Sequence, residues 1–123
     1  MYKVTVWSEF SAAHFLREYK GNCEKLHGHN WKVSLTISSK RLTSKGIVID
    51  FKDLRKMLGE VLKKLDHSYL NELTSFKKNN PTSENIAVYI YKHIQKRLKS
   101  KDCKIADVSV WETDKSCASF TGR

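Results

Sequence analysis

The sequence predicts an α+β fold, an antiparallel sheet with two helices gathered on one of its faces. Three observations point there. Apolar and polar residues alternate near both ends of the chain, as they do along half-buried strands. Between Asp50 and Leu98 the apolar residues recur instead at intervals of three and four. The resulting order is strand, strand, short strand, helix, helix, strand, strand, which pairs successive strands antiparallel and leaves the helices to share a layer.

The first strand covers residues 3 to 14. Lys3, Thr5 and Trp7 alternate with Val4, Val6 and Ser8, and the second parity continues through Phe10 and Ala12 to His14, with a bend expected near Ser11-Ala12-Ala13. A loop of charges and turn formers, Arg17 to Lys25, separates it from a second strand in which Trp31, Val33, Leu35 and Ile37 alternate with Lys32, Ser34, Thr36 and Ser38. A basic turn from Lys40 to Gly46 leads into Ile47-Val48-Ile49, read as a short third strand that stops at Asp50. Asp50 is a natural N-cap for a helix whose stripe is Phe51, Leu54, Leu58, Val61, Leu62 and Leu65. Pro81 and Thr82 start the second helix, where Ala87, Ile90, Tyr91, Ile94 and Leu98 form one stripe before the basic stretch Lys96 to Lys104. Val108 and Val110, alternating with Ser109 and Trp111, a turn at Asp114-Lys115-Ser116 and a strand over Cys117 to Phe120 close the chain. No repeat or linker interrupts it, so residues 1–123 read as one domain.

The chain carries 23 Lys and Arg against 13 Asp and Glu, a formal charge of +10. That excess suits a nucleic-acid-binding surface or an enzyme whose substrate bears phosphates, and composition does not choose between them. The apolar runs are too short for a transmembrane helix, and Met1-Tyr2-Lys3-Val4 opens on strand-like alternation with no signal-peptide core, so a cytoplasmic protein is expected. Three cysteines, Cys23, Cys103 and Cys117, make an odd set that points to reactive or metal-binding thiols rather than a disulfide framework. A deep cleft would remove much of the core of so small a body, and a site shared between subunits is the alternative.

The densest chemistry lies in Cys23-Glu24-Lys25-Leu26-His27-Gly28-His29. Residues two apart on an extended segment point the same way, so His27 and His29 project from one face, and His14 at the end of the neighbouring strand can add a third imidazole. Three histidines with an open fourth position is the pattern of catalytic zinc. A bare His-x-His is more often a turn with two surface histidines, and it is His14 and the nearby Cys that favour the metal. Cys23 reads as a ligand, a buried apolar residue, or a base whose thiol is acidified by a neighbouring cation. Cys103 and Cys117 have no such company and read as structural. In Asp66-His67 a carboxylate beside an imidazole suits a proton relay, or simply a polar helix end. Glu112 shares the parity of Val108 and Val110. A carboxylate on an apolar strand face marks an interface ion pair or a site for amidine-like donors such as a guanine or pterin edge.

With these residues in view, the chain resembles the 6-pyruvoyltetrahydropterin and 6-carboxytetrahydropterin synthase family. The resemblance runs through Phe10-Ser11-Ala12-Ala13-His14, Cys23 to Asn30, Val48-Ile49-Asp50-Phe51, Leu65-Asp66-His67, Asn80-Pro81-Thr82-Ser83-Glu84-Asn85 and Trp111-Glu112-Thr113. It implies the tunnelling fold, a four-stranded antiparallel sheet with two helices on one side that closes a β-barrel in trimers, usually stacked as hexamers with sites at subunit boundaries. It also implies zinc on His14, His27 and His29, Cys23 as proton-abstracting base, Asp66 and His67 as a relay, and Glu112 as the pterin anchor, with Thr82 and Thr113 beside the substrate. The implied substrate is 7,8-dihydroneopterin triphosphate, turned over without a redox cofactor.

The three residues between Cys23 and His27 resemble the spacing of bacterial 6-carboxytetrahydropterin synthases of the queuosine (7-deazaguanine) pathway, which release acetaldehyde and triphosphate. The pyruvoyl-forming enzymes typically have a longer spacing. Glu24, three residues before His27, matches a further branch that makes 6-hydroxymethyl-dihydropterin for folate synthesis and uses Glu in place of Cys. It is read here either as a solvated loop acid or as a second base giving a dual activity. The rival class is a basic nucleic-acid-binding module. The Lys96 to Lys104 run is more simply a solvated helix end, and no recognised RNA- or DNA-binding motif accompanies it.

Overall fold

Two strands of equal length set the frame: β1 (Tyr2–His14) and β2 (His27–Ser39). They pair antiparallel without interruption, from Tyr2 opposite Ser39 to His14 opposite His27. Helix α1 (Phe51–Leu62), the two-residue β3 (Ser68–Tyr69), helix α2 (Ser83–Arg97), β4 (Lys104–Thr113) and β5 (Ser116–Phe120) follow. The computed structural model describes residues 1–20 and 24–122. The sheet order is β3-β1-β2-β4-β5, every pairing antiparallel except the short β1–β3 contact.

The alternation of the sequence becomes the two faces of this sheet. Val6, Phe10, Ala12 and His14 of β1 share a face with Trp31, Val33, Leu35 and Ile37 of β2 and with Val108 and Val110 of β4, and all are buried. Both helices cover that face, with Leu54, Leu58 and Val61 from α1 and Ile86, Ala87, Ile90 and Ile94 from α2 completing one core. Each buried Val, Leu or Ile among them contributes about 1.5–3 kcal/mol by leaving water. The opposite face is mostly polar and carries Trp7 and Trp111, whose rings lie 5.1 Å apart with the Lys32 ammonium 4.3 Å over the Trp7 ring.

Both helix starts are those expected. The Asp50 carboxylate accepts from the Lys52 amide at 2.8 Å, and the Thr82 hydroxyl accepts from the Asn85 amide at 3.1 Å. Helix α1 ends at Leu62, and Leu65 is buried from the turn that follows rather than from the helix stripe.

Two expectations are corrected. Ile47-Val48-Ile49 is not a strand, because the segment closes on its own turn: the Thr43 amide donates to the Ile47 carbonyl and the Gly46 amide to the Thr43 carbonyl. Val48 still reaches the core, where Cys103, buried as expected, points its thiol at the Val48 carbonyl. Among the described residues the sheet also has five strands rather than four, because Ser68 and Tyr69 add a parallel edge beside Ala12 and Ala13.

Candidate metal centre

His14 ends β1 and faces His27, the first residue of β2, while His29 sits opposite Ala12. Their parity is that of the core, so the three imidazoles lie at the end of the helix-covered face, where apolar packing gives way to polar groups. Trp31 forms the floor: it is fully buried, its ring is 4.8 Å from that of His14 and 5.3 Å from that of His29, and its indole N–H donates to the Ala12 carbonyl. Glu112, near the end of β4, completes the group, and one ligand atom from each of His14, His27, His29 and Glu112 lies within 4.8 Å of all the others.

The hydrogen bonds decide which ring nitrogens face inward. His14 Nδ1 lies 2.8 Å from the Pro81 carbonyl and His27 Nδ1 2.8 Å from the Lys25 carbonyl. A carbonyl only accepts, so both Nδ1 atoms carry protons and, in the neutral rings, both Nε2 atoms present lone pairs. Those Nε2 atoms are 3.1 Å apart. Two lone pairs at that separation repel unless a cation lies between them. His29 Nε2 is buried without an aligned hydrogen-bond partner. Burial pushes the His29 imidazole below its ordinary range, and the His14 and His27 charges add to this against the opposing pull of Glu112. Three convergent lone pairs, two of them oriented by backbone carbonyls, fit a divalent metal of borderline softness such as zinc.

The position of His14 depends on an amide clamp that the sequence reading did not single out. Asn71 accepts from the Phe15 amide at 3.0 Å and donates to the Phe15 carbonyl at 2.9 Å, and Asn80 does the same for Arg17 at 2.8 and 3.0 Å. The chain leaving β1 is thereby tied to the segment before α2, and Pro81 follows at hydrogen-bonding distance from His14. The signal was present in Asn80-Pro81-Thr82, a turn former before a cap, but nothing in the sequence says which histidine its carbonyl meets.

Asp66 and His67 lie elsewhere. The Asp66 carboxylate accepts from the Ser11 amide at 2.9 Å and lies 3.0 Å from His67 Nδ1. The Ser11 hydrogen bond, reinforced by His67, holds the Asp66 carboxyl below the usual carboxylate range. His67 itself adopts a left-handed backbone (φ 54°) and is 82% exposed. It borders a shallow depression at the β1 edge whose lining includes His29 as well as Ser11, Ala13, Gly28 and Asn30, and the last four have the parity of the sheet face opposite the imidazole cluster. Within one chain the acid–imidazole pair, bonded to Ser11, therefore has the parity of the sheet face opposite the three imidazoles.

Of the remaining candidates, Cys23 lies outside the described residues. Glu24 takes the Leu16 amide on its carboxylate at 3.3 Å and stands 3.8 Å from His27 Nδ1, the outward side of that ring. Thr82 is engaged as the α2 cap, and the exposed Thr113 hydroxyl accepts from the Lys115 amide. A hollow of about 540 Å³, lined by Tyr2, Val4, Leu42, Ile47 and Phe51 among others, is at the far end of β1 from His14.

A sheet covered on one face by two helices is a fold shared with a Caenorhabditis elegans 6-pyruvoyl tetrahydropterin synthase structure, which aligns over 99% of this chain and 96% of that one, with TM-score 0.85 and 24% identity. Residues 3–123 match the 6-pyruvoyl tetrahydropterin synthase family, and the chain belongs to it. The family consists of enzymes that act on small pterins. A 6-carboxy-5,6,7,8-tetrahydropterin synthase of Rickettsia bellii is 32% identical over 92% of this chain and 95% of its own. A dihydroneopterin monophosphate aldolase of Pyrococcus furiosus is 37% identical over 85% and 84%. Among the described residues no helix is long and apolar enough to cross a membrane.

Proposed function

We propose that this protein is a cytoplasmic, zinc-dependent 6-carboxy-5,6,7,8-tetrahydropterin synthase that converts 7,8-dihydroneopterin triphosphate to 6-carboxytetrahydropterin, acetaldehyde and triphosphate in queuosine biosynthesis. The observation that carries this reading is the convergence of the His14, His27 and His29 Nε2 atoms beside Glu112 in a chain whose relatives include 6-carboxytetrahydropterin synthases. His14, His27 and His29 hold the metal, which supplies Lewis acidity toward side-chain hydroxyls and the C–H bonds next to them. Cys23 abstracts a carbon-bound proton, Asp66 orients His67 and stabilises its charged form, and His67 passes protons to and from the side chain. Glu112 accepts from the amino and ring N–H groups of the pterin, with Thr82 and Thr113 beside the substrate. Basic side chains meet the triphosphate.

Because the imidazoles and the Asp66–His67 pair occupy opposite faces, a complete site takes them from different subunits. That supports a homo-oligomer, a hexamer of stacked trimers whose sheets close a barrel. A small-molecule enzyme also accounts for the +10 charge without a nucleic-acid partner.

A second reading is favoured by the Pyrococcus furiosus relative and by Glu24: cleavage of the side chain to leave 6-hydroxymethyl-dihydropterin, with Glu24 as the base beside Cys23. Incubating the purified zinc-loaded protein with 7,8-dihydroneopterin triphosphate and identifying products by mass tests both. The expected product is 6-carboxytetrahydropterin, abolished in Cys23→Ala. A 6-pyruvoyl product instead would refute the leading reading. Hydroxymethyl-pterin formation that is unchanged in Glu24→Ala would remove the second.

A further inference from the structure

We propose that Glu112 is an exchangeable fourth ligand of the metal centre, closing it in the substrate-free protein and giving up that position when a pterin with a hydroxylated side chain binds. The inference rests on the metal-centred reading above and adds a resting state to it.

One carboxylate oxygen carries the argument. Glu112 Oε1 lies 3.1 Å from His14 Nε2, 2.9 Å from His29 Nε2 and 3.9 Å from His27 Nε2. A tetrahedron built on ligand bonds of about 2.1 Å has edges of about 3.4 Å, so these separations are those of donors around one ion. They do not resolve into ordinary pairs. The shortest of them, to His29, leaves His29 Nε2 without an aligned hydrogen bond, and the 3.1 Å contact of His14 Nε2 is a hydrogen bond only if that ring is doubly protonated, since His14 Nδ1 already donates to Pro81. With neutral imidazoles the four groups offer lone pairs to a common centre.

The four are not held equally. The His14 side chain is 3% exposed and braced by the Pro81 carbonyl, and His27 is braced by the Lys25 carbonyl. Glu112 is 38% exposed, and the β4–β5 register slips between Trp111 and Thr113, beside it. A bulge there frees the backbone of one ladder position and leaves the side chain room to re-aim. Two imidazoles oriented from behind and one loosely held carboxylate are what an exchangeable coordination position requires. The exchange balances simply: the carboxylate leaves, a substrate hydroxyl or water takes its place, and the freed carboxylate turns to the pterin N–H donors.

Metal binding gives the test without turnover. In competition with a chromophoric chelator, Glu112→Gln should bind Zn2+ about 10–100-fold more weakly than wild type. The visible band of the Co2+ protein should differ between the two without ligand, and neopterin, used as an unreactive probe whose binding is followed by its fluorescence, should shift the band in wild type. Equal affinities with identical Co2+ bands overturn the proposal. So does a wild-type band unmoved by bound neopterin, a result that needs no variant to fold. Metal lost in His27→Ala but unaffected in Glu112→Gln sinks this proposal alone, whereas a wild-type protein that binds no zinc, or no neopterin, removes the reading beneath it as well.

Discussion

Asp66 is the residue whose ionisation the fold most plainly uses. The Ser11 amide and His67 both favour its carboxylate, so its folded pKa lies below the unfolded value near about 4. A depressed carboxyl pKa contributes stability that is present above the unfolded pKa and disappears as pH falls through the folded one. The group is exposed, which keeps the effect small. Melting temperatures of wild type and Asp66→Asn, compared between about pH 7 and about pH 2, should therefore converge in acid, with wild type the higher at neutral pH. A gap that stays constant across that range would show that the Ser11 and His67 contacts do not select the ionised form. His67 depends on the same carboxylate for its orientation, so the variant should also lose activity at neutral pH.

At the scale of elements, the α2 N-terminus joins stability to the site, because the cap residue Thr82 directly follows the carbonyl that orients His14. Thr82→Ala removes one cap bond and should cost about 1 kcal/mol, roughly 3–6 °C in melting temperature for a domain of this size. Thr82→Ser should recover most of it, and a melting temperature unmoved by Thr82→Ala would show that the cap bond contributes nothing measurable. The elements also show what a sequence can disclose. The alternation from Val4 to His14 and from Trp31 to Ile37 is legible because burial on one face leaves a period of two over many residues, and the Asp50 and Thr82 starts are legible because a cap is a local bond. Ile47-Val48-Ile49 has strand composition, but whether three apolar residues pair or turn depends on whether a free edge is at hand. Ser68-Tyr69 is too short to have a period. The coincidence of His14, His27 and His29 could be anticipated from parity and strand order. The convergence of Glu112 on the same centre, and of Asp66 and His67 on the other side, depends on how the sheet is ordered and was not readable beforehand.

For the whole molecule, the placement of the metal centre and the Asp66–His67 pair by opposite sheet parities has a testable outcome. Inactive His27→Ala and inactive His67→Ala proteins, unfolded together and reassembled, should regain roughly a quarter of wild-type activity if each site draws one half from each of two subunits. No recovery in mixed oligomers, verified by mass, would place both halves in one chain. This experiment separates the shared-site arrangement from the identity of the product, which the mass assay addresses.

Strands β1 and β2 are each thirteen residues long, so the imidazole end of the sheet stands roughly 40 Å from the end that holds Tyr2, Leu42 and Phe51. Substitutions that far apart combine additively. The two ends are therefore separate fields for evolutionary change: the apolar end can drift, acquire a new contact or lose one without passing through an inactive intermediate, while the metal end keeps its chemistry.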